Sequence, residues 1–215
     1  MRVRGAVALV TGASSGIGWA TALRLAELGA RLILTGRDTE RLAMLATMTG
    51  GTPLAADLSE PSAVTQLARA ALDAAGRVDL LVNNAGEGHA GRFTAMSADQ
   101  VARLLAVNLS APIELTRVLL PGMVSRGTGH VAFVTSIAGR TGVAGEAVYS
   151  AAKAGVDAFA ESLRFELAGS GCGSGCWCRA WSGPRSSIAA GLPTCGIARG
   201  RCRRRGSRTP WSAAS

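Results

Sequence analysis

The sequence predicts a doubly wound parallel α/β sheet, on three observations. Short apolar runs recur along the chain, separated by amphipathic stretches of about ten to sixteen residues, the rhythm of repeated βαβ units. The first run, 6–10 (AVALV), is apolar at every position, as in a strand buried on both faces. It passes directly into a glycine-rich turn, Thr11-Gly12-Ala13-Ser14-Ser15-Gly16-Ile17-Gly18, and then into a helical pattern. In such sheets the ligand crevice lies at the carboxyl ends of the strands.

The remaining elements follow in order. Residues 19–28 read as a helix closed by Gly29, and 31–35 (RLILT) as a second strand. A helix over 39–48 and a weak strand at 53–55 lead to Asp57. Residues 60–75 are helical, with Pro61 in the first turn, where its missing N–H costs nothing, and Gly76 at the end. Residues 80–82 form a fourth strand running into Asn83-Asn84-Ala85-Gly86. Two helices, 98–109 and 112–126, precede a fifth strand at 130–135 (HVAFVT), and a long helix spans 149–167.

A chain of 215 residues with 48% hydrophobic content fits one domain with ample core. No run of 18 uncharged apolar residues suggests a membrane span. Met1-Arg2-Val3-Arg4 leads straight into the first strand, so a cytoplasmic location is expected. The net charge of +9 is unevenly spread: residues 169–215 hold eight of the 23 basic residues and no acid, leaving 15 against 14 in the body. All five cysteines and three of the four tryptophans lie in the same tail. Two divisions follow, an ordinary domain body at 1–168 and an aberrant tail at 169–215 expected to be disordered.

Gly12, Gly16 and Gly18 let the backbone turn tightly and approach a pyrophosphate, whose charge meets the free N–H groups at the next helix's start. A P-loop is excluded, because Ile17-Gly18 stands where Gly-Lys is needed. At the end of the second strand stands Thr35-Gly36-Arg37 rather than a carboxylate. A guanidinium there suits a 2′-phosphate, so NADP(H) is preferred to NAD(H), and Asp38 is read as the cap of the following helix.

Tyr149, the chain's one tyrosine, and Lys153 stand four residues apart in a helical pattern, which places them on one face. A phenol is a weak acid–base group near neutrality, and a neighbouring cation favours its phenolate form. Ser136 brings a hydroxyl from the end of the preceding strand.

These residues together resemble the short-chain dehydrogenases/reductases. TGASSGIG at 11–18, Asp57, NNAG at 83–86, Asn108, Ser136 and YSAAK at 149–153 stand in family order and spacing over residues 5 to about 168. The resemblance implies a Rossmann-type fold and a catalytic tetrad of Asn108, Ser136, Tyr149 and Lys153. Tyr149 would be the acid–base group, Ser136 would hold the substrate oxygen, Lys153 would polarise the phenol and hold the nicotinamide ribose, and Asn108 would anchor a relay water. It further implies cofactor contacts from Gly12, Ser14, Ser15, Gly16, Ile17, Gly18, Arg37, Leu58, Tyr149 and Lys153. Asp57 would meet the adenine amino group, and Asn84, Ala85 and Gly86 would stabilise the central sheet beside the cofactor. The expected partner is a small carbonyl or alcohol substrate, with residues 137–148 forming the selecting loop and Glu87, Gly88 and His89 at the substrate mouth. No metal site is expected: His89 and His130 have no neighbours at ligand spacing, and His130 is read as preceding a strand.

After Leu167 the resemblance stops. A sixth strand, a Pro-Gly turn and a seventh strand are the family's usual continuation, and the sequence instead runs through Gly, Arg, Ser, Cys, Trp and Pro with no strand period. The sheet is therefore expected to lack its last strands, and with them the family's usual homo-oligomer contact. Reading the codons one base upstream turns Cys176-Trp177 into Leu and Trp177-Cys178 into Val. It permits Pro-Gly-Val-Val-x-Thr after them, the signature of a frameshift. The cysteines lack paired zinc spacing. The basic run at 199–208 has no interleaved aromatics, so nucleic-acid binding ranks last. An NAD(P)-dependent oxidoreductase is the first reading, and a catalytically impaired dinucleotide-binding fold the second.

Overall fold

Six parallel strands in the order β3-β2-β1-β4-β5-β6 form the sheet of this protein, whose computed structural model describes residues 2–179. The strands are β1 (Val7–Thr11), β2 (Arg31–Gly36), β3 (Thr52–Ala55), β4 (Leu80–Asn83), β5 (Gly129–Ser136) and β6 (Cys172–Arg179). The helices are α1 (Gly16–Glu27), α2 (Thr39–Thr49), α3 (Pro61–Ala75), α4 (Ala98–Leu105), α5 (Ala111–Ser125) and α6 (Ala147–Glu166). The order reverses between β1 and β4, which pair directly through Ala8–Leu80, Leu9–Leu81 and Val10–Val82. That reversal is where open α/β sheets leave a crevice.

The all-apolar strands reflect burial on both faces. Alternate residues of β1 point to opposite sides, as the period of two requires. Val7 and Leu9 pack with Ile33, Leu81, Val131 and Phe133 against Leu67 of α3, Leu115 and Met123 of α5, and Val156 of α6. Ala8 and Val10 pack with Leu32, Leu34 and Val82 against Ala22 and Leu25 of α1 and Leu42 and Leu45 of α2. Each Val, Leu, Ile, Phe or Met side chain among them withdrawn from water is worth about 1.5–3 kcal/mol. Phe133 and Phe159 meet edge to face, with centroids 5.8 Å apart.

The predicted break between 109 and 112 is not a break. A π-helical turn, Ala106–Ser110, carries α4 into α5 without leaving helical geometry. Pro112 lies in the first turn of α5, where it needs no N–H partner, so it ends nothing. The combined stretch, Ala98–Ser125, is long and apolar enough to cross a membrane, yet its residues Ala111, Leu115, Leu119 and Met123 are core residues of the sheet's helical layer.

The sixth strand expected to be missing is present. β6 pairs in parallel with β5 from Gly129–Cys172 to Ser136–Arg179. Ser174 Oγ donates to the Ala160 carbonyl of α6 at 3.1 Å, and Cys172 and Cys176 pack on the core. Backbone pairing uses no side-chain code, and Cys172, Ser174 and Cys176 stand in for the branched residues a strand usually shows. Gly171 turns the chain into the strand at φ +77°. His130, read as preceding a strand, is the second residue of β5, and burial pushes its imidazole below its usual range. The expected seventh strand and the rest of the tail, 180–215, lie outside the described residues.

A Cβ at Gly173 would strike the His130 ring. Gly173→Val is therefore expected to lower stability by about 1–3 kcal/mol in urea unfolding. An unchanged midpoint would mean that this segment does not pair with β5.

Candidate functional site

A crevice of about 400 Å³ opens at the carboxyl ends of the strands, floored by Gly12, Ser14, Ser15, Gly16 and Ile17 on one side and Asn84, Ala85 and Gly86 on the other. It is built from the β1 turn upward. Thr11 Oγ1 donates to the Val82 carbonyl at 3.2 Å and accepts from the amides of Asn84 and Ala85, both at 2.9 Å. Asn84 Nδ2 returns the bond, donating to the carbonyls of Thr11 at 2.8 Å and Gly12 at 3.1 Å. One hydroxyl and one amide thus clamp the β1 turn to the β4 turn. Sequence reading gave Thr11 no role, because a threonine ending a strand carries no signal of what it faces.

Two glycines are dictated by that clamp. A Cβ on Gly12 would lie 2.9 Å from Ala85 Cα, and one on Gly18 would collide with the Gly12 carbonyl and the Asn84 amide. Gly12 also sits at φ +63°. Ser15 occupies the cap position of α1 but makes no side-chain cap. The first N–H groups of α1 therefore lack the usual capping acceptor, in the arrangement that accepts an anion. These features fit a pyrophosphate-bearing ligand.

At the other end of the crevice stand Tyr149 and Lys153, both on α6. Lys153 is buried, its Nζ donating to the Val134 carbonyl at 3.1 Å and lying 5.7 Å from the Tyr149 ring centroid. Burial pulls the ammonium down to about 8, against the opposing pull of Asp157 one turn further on. Asn108 lies in the π-helical turn, fully buried, with Nδ2 donating to the carbonyls of Glu87 (2.8 Å) and Leu104 (3.0 Å). Its Oδ1 has no hydrogen-bond partner among the described residues. A Cβ on Gly86 would come within 2.8 Å of that oxygen and 3.4 Å of Lys153 Nζ, so both polar atoms border the one space that glycine leaves open. Ser136 ends β5, and its Oγ accepts from the Ala138 amide at 3.2 Å. Neither Ser136 nor Asn108 lines the crevice itself.

The β2 and β3 side of the crevice is charged. Asp38 caps α2 as expected, accepting from the Arg41 amide at 3.0 Å. Arg37, expected to face a phosphate, places Nη1 2.6 Å from Glu87 Oε1. Glu87, expected at the substrate mouth, also holds Arg103 through both oxygens, at 3.0 Å and 2.9 Å. Arg103 reaches on to Ser59 Oγ at 2.8 Å and Asp57 Oδ2 at 3.4 Å. Asp57 Oδ1 accepts from the Ser59 amide and hydroxyl, and these bonds with Arg103 hold the carboxyl below its usual range. Leu58 is buried beside it and lines the crevice. Arg103 carried no motif in the sequence. Its role comes from α4 packing near Asp57, which no local pattern encodes.

Residues 6–174 match the short chain dehydrogenase family, and the chain belongs to it. A ketoacyl reductase, HetN, of a Nostoc species is 38% identical over 172 residues, covering 78% of this chain and 60% of that protein. The chain thus spans less than two thirds of that relative's length. A metagenomic short-chain oxidoreductase solved with NADP superposes with a TM-score of 0.77 at 39% identity, covering 84% of this chain and 83% of that one. A short chain dehydrogenase/reductase from Burkholderia phymatum solved with NAD gives 0.79 at 34% identity, over 84% and 67%.

Because burial lowers the Lys153 ammonium from its ordinary 10.5 to about 8, the unfolded chain binds the extra proton between those values. Stability lost to the buried charge below about pH 8 is therefore recovered as pH rises toward 10.5. Lys153→Met is expected to flatten that rise in unfolding midpoints. An identical pH profile in the variant would contradict the burial of a charged lysine.

Proposed function

We propose that the chain is an NADP(H)-preferring oxidoreductase interconverting a small carbonyl compound and its alcohol. The observation carrying this reading is the convergence of Tyr149, buried Lys153 and the unpartnered Asn108 Oδ1 at the end of a crevice whose other end is an uncapped helix start. When bound, the nicotinamide cofactor supplies or accepts the hydride. Gly12, Ser14, Ser15, Gly16, Ile17 and Gly18 would hold its pyrophosphate side, with Asn84, Ala85 and Gly86 opposite. Asp57 and Leu58 would meet the adenine, and Arg37 a 2′-phosphate.

The chain's own residues handle the proton. Tyr149 gives a proton to, or takes one from, the substrate oxygen, a role worth about 10²–10⁴ in rate. The Lys153 ammonium lies 5.7 Å from the Tyr149 ring centroid, and its hydrogen bond to the Val134 carbonyl fixes where its charge sits. Asn108 Oδ1 has the free acceptor that a relay water needs. Ser136 Oγ accepts from the Ala138 amide and so keeps its own O–H to donate to and orient the substrate oxygen. Burial of Lys153 keeps its proton exchangeable near neutrality, which suits a group that must recharge the phenol each turnover.

A second reading concerns the tail, on one observation in the sequence: read one base upstream, codons 176–180 permit Leu-Val-Pro-Gly, a strand end followed by a turn. A chain carrying an out-of-frame tail would retain these site residues while losing part of the pocket wall, and its turnover would be impaired. Independent reads of the gene with an unshifted frame at codons 170–180 would rule this out.

The test is a panel of ketones and 3-oxoacyl thioesters, the latter because HetN is a ketoacyl reductase, followed by reduced-nicotinamide oxidation with NADPH and with NADH. Tyr149→Phe is expected to lose about 10²–10⁴ of the rate while binding cofactor as before. Full activity in Tyr149→Phe would overturn the assignment.

A further inference from the structure

We propose that Glu87 tempers the cofactor preference of this crevice, acting as an internal counterion that a 2′-phosphate must displace from Arg37. The proposal deepens the NADP(H) reading and rests on it. Arg37 follows β2 and Glu87 follows β4, so their ion pair reaches across β1, the strand between them in the sheet. Both residues line the crevice. The arginine that would recognise the phosphate is thus already engaged by a carboxylate.

The two guanidiniums on Glu87 are held unequally. Arg103 grips both carboxylate oxygens and is itself tied to Ser59 Oγ and Asp57 Oδ2. Among the described residues Arg37 makes a single hydrogen bond, sharing Glu87 Oε1 with Arg103, and its side chain is 59% exposed. When Arg37 swings away, the Glu87 charge stays paired by Arg103, so no carboxylate is stranded. Arg103 has four acceptor contacts to break and remains in place. The arrangement is a fixed Glu87–Arg103 pair with one movable arm.

The consequence for selectivity follows from charge. A dinucleotide bearing only a ribose hydroxyl at this position gains little by recruiting Arg37, and the Arg37–Glu87 pair persists. A 2′-phosphate offers Arg37 a stronger acceptor, but each such event breaks the existing pair and brings the phosphate near the Glu87 charge. Glu87 therefore weakens binding of the phosphorylated cofactor selectively. Its removal sharpens the preference that Arg37 creates.

Calorimetric titration of the full chain with NADPH and with NADH, at low and at moderate salt, tests this without any turnover. Glu87→Gln is expected to tighten NADPH by about fivefold, the worth of one exposed ion pair, and to change NADH by less than about twofold. The gain should shrink at higher salt and vanish in the Glu87→Gln, Arg37→Ala double variant. Glu87→Asp, which shortens the carboxylate's reach, should move NADPH in the same direction should the glutamine variant fold poorly. Unchanged or weaker NADPH binding in both variants, while Arg37→Ala alone weakens NADPH, would overturn the counterion role and leave the NADP(H) reading standing. Equal tightening of NADH would overturn it as well. NADPH binding indifferent to Arg37→Ala would instead remove the NADP(H) reading, and the proposal with it.

Discussion

The structure depends on the clamp between the turns that leave β1 and β4. Thr11 Oγ1 and Asn84 Nδ2 take part in five hydrogen bonds between these two neighbouring strand ends, all of them with main-chain groups. Such bonds, partly shielded from water, contribute about 1 kcal/mol each when made and cost more when one partner is missing. Their effect here is chiefly geometric. They hold the Gly12 carbonyl close enough to α1 that Gly18 can carry no side chain, and they aim the start of α1 at the crevice. The glycine pattern is the sequence record of that close approach.

The Tyr149 and Lys153 end of the crevice obeys a different constraint, the cost of burying a cation. Among the described residues Lys153 has no carboxylate on its ammonium; its hydrogen bond is to the Val134 carbonyl, and Asp157 offers only a more distant attraction. A fold under selection for stability alone would place an apolar residue there. A buried, weakly compensated ammonium beside a phenol is the kind of local expense that chemistry explains and packing does not. The π-helical turn belongs with it: the wider turn places Asn108 with Nδ2 satisfied and Oδ1 unpaired, next to the same Gly86. Stability and function are thus separated in this domain, with two apolar layers bearing the fold and a thin polar seam at the strand ends bearing the site.

Much of this was legible in the sequence because the signals are local. A strand buried on both faces must be apolar throughout, as 6–10 is, and helices closed by Gly29 and Gly76 announce their ends. The glycine turn, the 83–86 turn and Ser136 stood out as motifs because each sits where a strand gives way to a turn, and Tyr149 and Lys153 because they share a helix face. What escaped was non-local or encoded in the backbone. β6 was missed because Gly173 and Gly175 break the branched, alternating pattern of a strand, although the backbone completes a ladder on β5. The continuation of α4 into α5 was missed because Pro112 ordinarily signals a stop. The Arg37–Glu87–Arg103–Asp57 chain of charges joins four segments far apart in sequence, and no spacing rule connects them.

The central claim is that the strand-end crevice between β1 and β4 takes a nicotinamide dinucleotide. Amide hydrogen exchange on the full chain with and without saturating NADPH measures this most directly, since it locates binding without requiring a substrate. The account predicts slowed exchange in peptides covering 12–18, 84–88 and 134–136, with the opposite strand ends around Arg77 and Arg126 unchanged. Exchange unaffected at the strand-end crevice, or protection confined to the Arg77 and Arg126 side, would contradict it.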